Sequence, residues 1–183
     1  MMNRNFYIQN LCFIGVFTAI ISITAQISIP LPLGIPVTLQ SFAVMMSGII
    51  LGARQGAIAS LIYLLIGFCG FPIFSNFAGG SQVLIGPTGG FLLSFPLLAF
   101  VSGIGAKLHL RFRKALPLML LLGNMLTLTF GTTMFCLITN STLISGLTAC
   151  VFPFLPVTLV QMGLAYILGI EMRKRLTKII HYE

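Results

Sequence analysis

Few side chains in this 183-residue sequence can move a proton, attack an electrophile or hold a metal. The only carboxylates are Glu171 and Glu183, and the only histidines are His109 and His181. All four sit in segments rich in Lys and Arg, outside the long apolar runs. General acid–base catalysis needs a titratable group within reach of the reacting atom, and nucleophilic catalysis needs a Ser or Cys beside a base. The apolar runs offer neither arrangement, so no catalytic residue is assigned and the chain reads as a non-enzyme. Cys12, Cys69, Cys136 and Cys150 stand singly, without metal-ligand spacing, and read as small packing residues. No G-x-x-x-x-G-K-[ST] phosphate loop occurs, so the chain cannot use ATP by itself, and no cofactor is expected. Intramembrane carboxylates, the usual proton relays of pumps, are missing too.

The remaining chemistry is neutral. Gln40, Asn76, Ser81, Gln82, Thr88, Asn124, Thr158 and Gln161 stand at the edges of apolar runs. Amides both donate and accept, which suits a ligand with amide-like groups, although each of these residues could equally bond across helices or cap one. The run Gly86-Pro87-Thr88-Gly89-Gly90, followed by Phe91, and the pair Gly79-Gly80 let backbone N–H groups come close to a ligand; the same residues also make plain tight turns. Gly15, Ala19 and Ser22 form a small-residue face on the first apolar segment, open either to a partner helix or to packing within the chain.

The elements that must carry these groups follow from composition. Hydrophobic residues make up 57% of the chain and charged residues 7%, against about 25% charged in a soluble domain. Too little polar surface is left to coat a soluble globule, and disorder needs low hydrophobicity. Despite the net charge of +8, the cations do not form a nucleic-acid patch; they fall in four places separated by uncharged stretches at 5–53, 55–106 and 115–170. Each stretch is more than twice the roughly 20 residues of one membrane crossing. Each is also broken near its middle by Pro and Gly or polar residues. A β-barrel would need alternating strands, which these runs lack. The reading is an all-α integral membrane protein, one domain over residues 1–183, with six transmembrane helices at about 8–27, 37–53, 56–73, 86–106, 116–135 and 155–174. The short second helix is expected to be partly shielded, Pro96 to kink the fourth, and residues 141–152 to form an extra short helix. All ten Lys and Arg fall on one face of such a bundle, which the positive-inside bias makes cytoplasmic, with both termini inside a bacterial-type cell membrane. The outer connections, IPLPLGIPVTLQ at 29–40 and FPIFSNFAGGSQVLIGPTGGF at 71–91, are apolar and irregular, so they must fold on protein or line a cavity.

These connections resemble the BioY family, the biotin-specific substrate-binding (S) components of energy-coupling factor (ECF) transporters. The resemblance rests on IPLPLGIPVTLQ at 29–40, LGARQGA at 51–57, YLLIG at 63–67, GFPIF at 70–74, FAGG at 77–80, GPTGGF at 86–91 and PFLP at 153–156. It runs from about residue 10 to 170. It implies an S-component fold with a substrate pocket on the extracellular side, capture of biotin for uptake, and partnership with a membrane coupling subunit and two cytoplasmic ATPases that consume ATP. It also implies that Gly15 and Ala19 face the coupling subunit. The sequence departs from the family after PFLP: the family usually has Gly-Asp and, three residues on, Lys, where this chain has Val157, Thr158 and Gln161. Without that charged pair, biotin's carboxylate would be left to backbone N–H groups near Gly79, Gly80 and Gly86–Gly90, and its ureido ring to Asn76, Gln82, Asn124, Thr158 or Gln161. Another small vitamin-like ligand, or a stand-alone biotin facilitator, are the alternatives.

Overall fold

The computed structural model describes residues 4–29 and 35–176. Pro30, Pro32 and Gly34 of the first outer connection and the tail beyond Leu176 lie outside the described residues. The fold is mostly helical. Helix α1 spans Arg4–Gln26, α2 Gln40–Leu51, α3 Ala53–Phe68, α4 Ser81–Ile85, α5 Gly89–Leu93, α6 Phe95–His109, α7 Ala115–Thr139, α8 Leu143–Gly146 and α9 Phe154–Leu176. A 3-10 turn at Ser75–Phe77 precedes α4, and a π-turn at Leu147–Val151 continues α8.

The all-α reading misses one feature. Strands β1 (Ser28–Ile29) and β2 (Val37–Thr38) pair antiparallel, Ser28 opposite Thr38 and Ile29 opposite Val37. The Leu39 N–H closes the ribbon on the Ile27 carbonyl at 3.2 Å. The β-branched Val37 and Thr38 pair here instead of joining the next helix, so α2 begins at Gln40 rather than 37. The fourth expected helix is divided at Ser94, whose hydroxyl donates to the Phe91 carbonyl at 2.7 Å. Pro96 then sits in the first turn of α6, where a missing N–H leaves no bond unmade.

By length and composition, four helical stretches among the described residues suffice to cross a membrane: Ile8–Gln26, Gly89–His109 (α5 and α6 together), Ala115–Thr139 and Phe154–Leu176. With 12 and 16 residues, α2 and α3 extend only about 18 and 24 Å at roughly 1.5 Å per residue, short of a hydrocarbon core of about 30 Å. Helix α2 is the centre of the molecule. Every residue of it is buried except Ser41 and Phe42, and α1, α3, α6 and α9 pack around it. Gly48 permits this: a Cβ there would run into the backbone of Ala99 on α6. The outer surface is paved with apolar side chains, among them Leu11, Val16 and Ile23 on α1, Leu118 and Leu122 on α7, and Val160 and Ile167 on α9. In water so much exposed apolar area would drive aggregation; against lipid tails it costs nothing.

Candidate functional site

Gln40 opens α2 and Arg54 follows its end, so the polar groups near Gln40 and the cations lie at opposite ends of the bundle. At the Gln40 end the chain encloses a cavity between β2, the start of α2, α5 and the start of α6, the middle of α7 and the start of α9. Its empty volume, open mouth included, is about 580 Å³.

Five of the expected residues line it: Gln40, Thr88, Phe91, Asn124 and Thr158. Gln40 is buried and held from two sides. Its Oε1 accepts from the Thr38 hydroxyl at 3.3 Å, and its Nε2 donates to the Tyr63 hydroxyl. Tyr63, wholly buried, in turn reaches the Ile73 carbonyl at 3.4 Å and meets Phe74 edge-on at 5.4 Å. Asn124 uses its amide hydrogens on the Leu120 carbonyl (2.8 Å) and the Met45 sulfur (3.2 Å). What it offers a ligand is therefore Oδ1, an acceptor. Phe91 stacks on Phe154, with centroids 5.6 Å apart and planes at 13°, making an apolar wall. Phe91 reaches that position because Gly131 on α7 leaves room: a Cβ at Gly131 would run into its ring.

Gln161 stands behind the lining. It is buried, and its Nε2 donates to the Thr38 carbonyl at 2.9 Å, tying α9 to the ribbon. The other expected residues are spent elsewhere. Asn76 is exposed and accepts from the Ser28 hydroxyl at 2.9 Å; its neighbour Ser75 lines the cavity instead. Gln82 is exposed and folds back on the Gly79 carbonyl at 2.9 Å. The Gly80 N–H donates to the Gly67 carbonyl at 2.8 Å, and the Gly89 N–H to the Gly86 carbonyl at 3.0 Å. Gly79, Gly86, Gly89 and Gly90 do not line the cavity; Gly89 and Gly90 are buried, and a Cβ on either would meet backbone, of Leu84 and of Phe130 respectively. Their role here is close helix packing.

On α1, Gly15 and Ala19 face outward, and among the described residues nothing lies within 4 Å of the Cβ that Gly15 lacks. Ser22 is half-buried and bonds back to the Thr18 carbonyl at 2.9 Å.

Several residues that shape the cavity escape sequence reasoning: Ser41, Ser75, Thr127 and Phe154 in the lining, and Tyr63 behind Gln40. Gln26 clamps the second outer connection, donating to the Phe74 carbonyl at 3.0 Å and accepting from the Phe77 N–H at 3.0 Å. Thr127 stands three residues after Asn124, so the helical repeat places it on the same face of α7 and is a signal that could have found it.

Among the described residues, no ionisable side chain lines the cavity. Cys150, in the turn that continues α8, is fully buried, which pushes its thiol up to about 11 and keeps it protonated. No group of His, Cys, Asp and Glu among the described residues could hold a metal. The site can therefore bind through neutral hydrogen bonds and aromatic contact, and offers no general base or nucleophile.

The chain is 34% identical over 176 residues to the biotin transporter BioY2 of Lactococcus lactis subsp. cremoris, covering 95% of each. It is 52% identical over 93 residues to the biotin transporter BioY of Thermotoga maritima, a match spanning 51% of this chain and 54% of that protein. A match at 38% to a probable biotin transporter BioY of Pyrococcus horikoshii spans 53% of this chain and 59% of that protein. The chain thus spans little more than half the length of these last two relatives. Its fold superposes with a TM-score of 0.86, at 24% identity and 95% coverage of both chains, on the crystal structure of the S-component for biotin from an ECF-type ABC transporter. The BioY family model matches residues 2–178, and on that match the chain, a membrane protein, belongs to the BioY family.

Proposed function

We propose that this chain is the membrane-embedded biotin-binding subunit of an ECF-type transporter, a transport component and not an enzyme. The observation that carries the reading is the ion-free cavity lined by Gln40, Asn124 and Thr158 beside the stacked Phe91 and Phe154. Biotin's ureido ring has N–H donors and a carbonyl acceptor. Asn124 Oδ1 takes an N–H, the Thr158 hydroxyl serves the carbonyl, and the aromatic wall covers the apolar ring face. The carboxylate points to the open mouth, toward Ser41, Ser75 and Thr88, and keeps part of its hydration.

Six crossings, both termini in the cytoplasm and an extracellular cavity complete the proposal. The separation of cavity and cations at opposite ends of α2 supports it, because the basic end belongs inside. The short α2 and α3 span by being sheathed in longer helices rather than by meeting lipid along their whole length. With no ATP site of its own, the chain works with a membrane coupling subunit and two cytoplasmic ATPases, and Gly15 and Ala19 on the outward face of α1 are the proposed contact. Thr158 and Gln161, standing where the family usually has Asp and Lys, favour a second reading: the same fold serving another small vitamin-like ligand.

Saturation binding of labelled biotin to the purified chain tests both. The first reading expects displacement by unlabelled biotin but not by thiamin or riboflavin. Absence of saturable biotin binding by a folded chain refutes it, and displacement by another vitamin at lower concentration selects the second.

A further inference from the structure

Resting on the biotin-binding reading above, we propose that Gln26, which does not line the cavity, is a positioning residue for the ligand: its side-chain amide holds a strained turn at Asn76–Phe77 and so sets Ser75 in the cavity wall. Among the described residues none of α1 lines the cavity, yet the end of that helix becomes part of the site. The strain lies in the backbone. Asn76 has φ 58° and ψ 35°, and Phe77 has φ 55°. Asparagine enters the left-handed region at small cost, but a bulky residue there is an outlier. Two such residues in succession persist only where their surroundings hold them. Packing of the Phe77 side chain does not, because it is 72% exposed.

The holder is Gln26. In a closed turn the Phe74 carbonyl and the Phe77 N–H, three residues apart, would bond each other. Here the Gln26 amide stands between them: Nε2 donates to the Phe74 carbonyl at 3.0 Å, and Oε1 accepts from the Phe77 N–H at 3.0 Å. The Ser28 hydroxyl adds a second tie, donating to Asn76 Oδ1 at 2.9 Å. On its other side the turn is anchored by Phe74, which is fully buried and whose N–H donates to the Ala78 carbonyl at 2.9 Å. Ser75 stands between this anchor and the clamp, and it lines the cavity together with Thr38. Thr38 is itself held by pairing opposite Ser28. The short segment Gln26–Ser28 thus carries two lining residues, Ser75 through the amide clamp and Thr38 through the ribbon. Without the clamp Phe77 relaxes out of the left-handed region, and a ligand that uses Ser75 must restore the strained turn as it binds.

Two measurements on the full chain in detergent test this. The first is hydrogen exchange of the Phe77 amide without ligand. The parent should protect it, and Gln26→Met, which keeps the side-chain length but loses both bonds, should speed its exchange by on the order of fivefold, the worth of one hydrogen bond. The second is equilibrium binding of labelled biotin. Gln26→Met should weaken it by on the order of tenfold, the left-handed cost of one residue now met on binding. Adding Phe77→Gly to Gln26→Met should restore most of the affinity, because glycine takes the left-handed conformation unaided; a residue needed only for stability would not be rescued by a more flexible chain. In a Ser75→Ala background Gln26→Met should cost about twofold or less, since the group it positions is gone. A Phe77 amide in the parent that exchanges like an unstructured one overturns the proposal, and that measurement needs no variant to fold. So does failure of Phe77→Gly to restore binding, or a loss from Gln26→Met as large with Ser75→Ala as without it. If the folded parent binds no biotin, the reading on which the proposal rests fails instead, while exchange still decides whether the clamp exists.

Discussion

Replacing Asn124 by Leu removes a buried acceptor that the cavity holds ready for a ligand N–H. Both hydrogens of the Asn124 amide are already used, on the Leu120 carbonyl and the Met45 sulfur. Leucine is close in size, and its loss of those two bonds strands no donor: the Leu120 carbonyl is a helical acceptor in its own right, and the thioether is a weak one. Folding stability should therefore stay within about 1 kcal/mol of the parent, since an apolar group replaces a buried polar one at similar volume. Binding should not. The ligand N–H that met Oδ1 now enters a cavity without an acceptor there, and leaving it unpaired costs about 1–3 kcal/mol. That is a loss of roughly 5- to 150-fold in biotin affinity at 25 °C. Equilibrium binding of labelled biotin and a thermal melt on the same preparation read the two quantities separately. A folded Asn124→Leu protein that binds biotin within twofold of the parent would refute the assignment of Asn124, and with it the placement of the ureido ring.

Further outcomes follow from the same geometry. Gly131→Ala puts a methyl group where the Phe91 ring lies, so the ring must leave its stack on Phe154; overpacking of this kind costs about 1–3 kcal/mol, and biotin affinity should fall with it. An affinity equal to the parent's would show that the aromatic wall does not touch the ligand. Because no ionisable side chain among the described residues lines the cavity and a carboxylate of ordinary pKa, about 4, is already ionised above pH 6, biotin affinity should be flat between about pH 6 and 8; a tenfold slope in that range, measured by the same binding assay, would place a titrating group at the ligand. With its thiol held at about 11, Cys150 has its thiolate population suppressed at pH 8 and gains reactivity only as pH climbs toward that value. Exposed Cys69 should be the faster site for a maleimide, as peptide mapping after brief labelling will read. Thr158→Val should lower biotin affinity by about 1 kcal/mol, one neutral hydrogen bond, whereas Gln161→Ala should act mainly on stability, because its amide serves the Thr38 carbonyl rather than the cavity.

What the sequence made legible and what it hid divide along a physical line. Charge placement and the apolar stretches are one-dimensional signals, and they were enough to separate a basic end from an end rich in amides and glycines. Asn124, Thr158 and Gln40 could be singled out because a polar side chain in so apolar a run needs a reason, and the structure places all three in the cavity lining. Asn76 and Gln82 looked alike in composition but satisfy local partners, and only the fold of the connection decides whether an amide turns inward or meets its own turn. The glycines of 86–90 were open to two meanings, ligand approach or close packing. Gly89 and Gly90 sit where a Cβ would meet neighbouring backbone, so packing is the role the geometry gives them.

The same division bears on how a site without charge can be specific. Gln40 cannot turn freely, because Thr38 and Tyr63 hold both ends of its amide, and Tyr63 is itself held by Ile73 and Phe74. Asn124 cannot present its nitrogen, because Leu120 and Met45 have taken it. Orientation that an ion pair would supply by field is here supplied by exhausting the alternatives of each amide before a ligand arrives. Preorganised neutral groups avoid the desolvation penalty of buried ions and the entropy of ordering free side chains. On this view Tyr63→Phe, which touches no ligand, should weaken biotin binding by freeing the Gln40 amide. If Tyr63→Phe leaves affinity untouched while Gln40→Ala reduces it, Gln40 acts without its clamp, and fixed orientation is not what the site depends on.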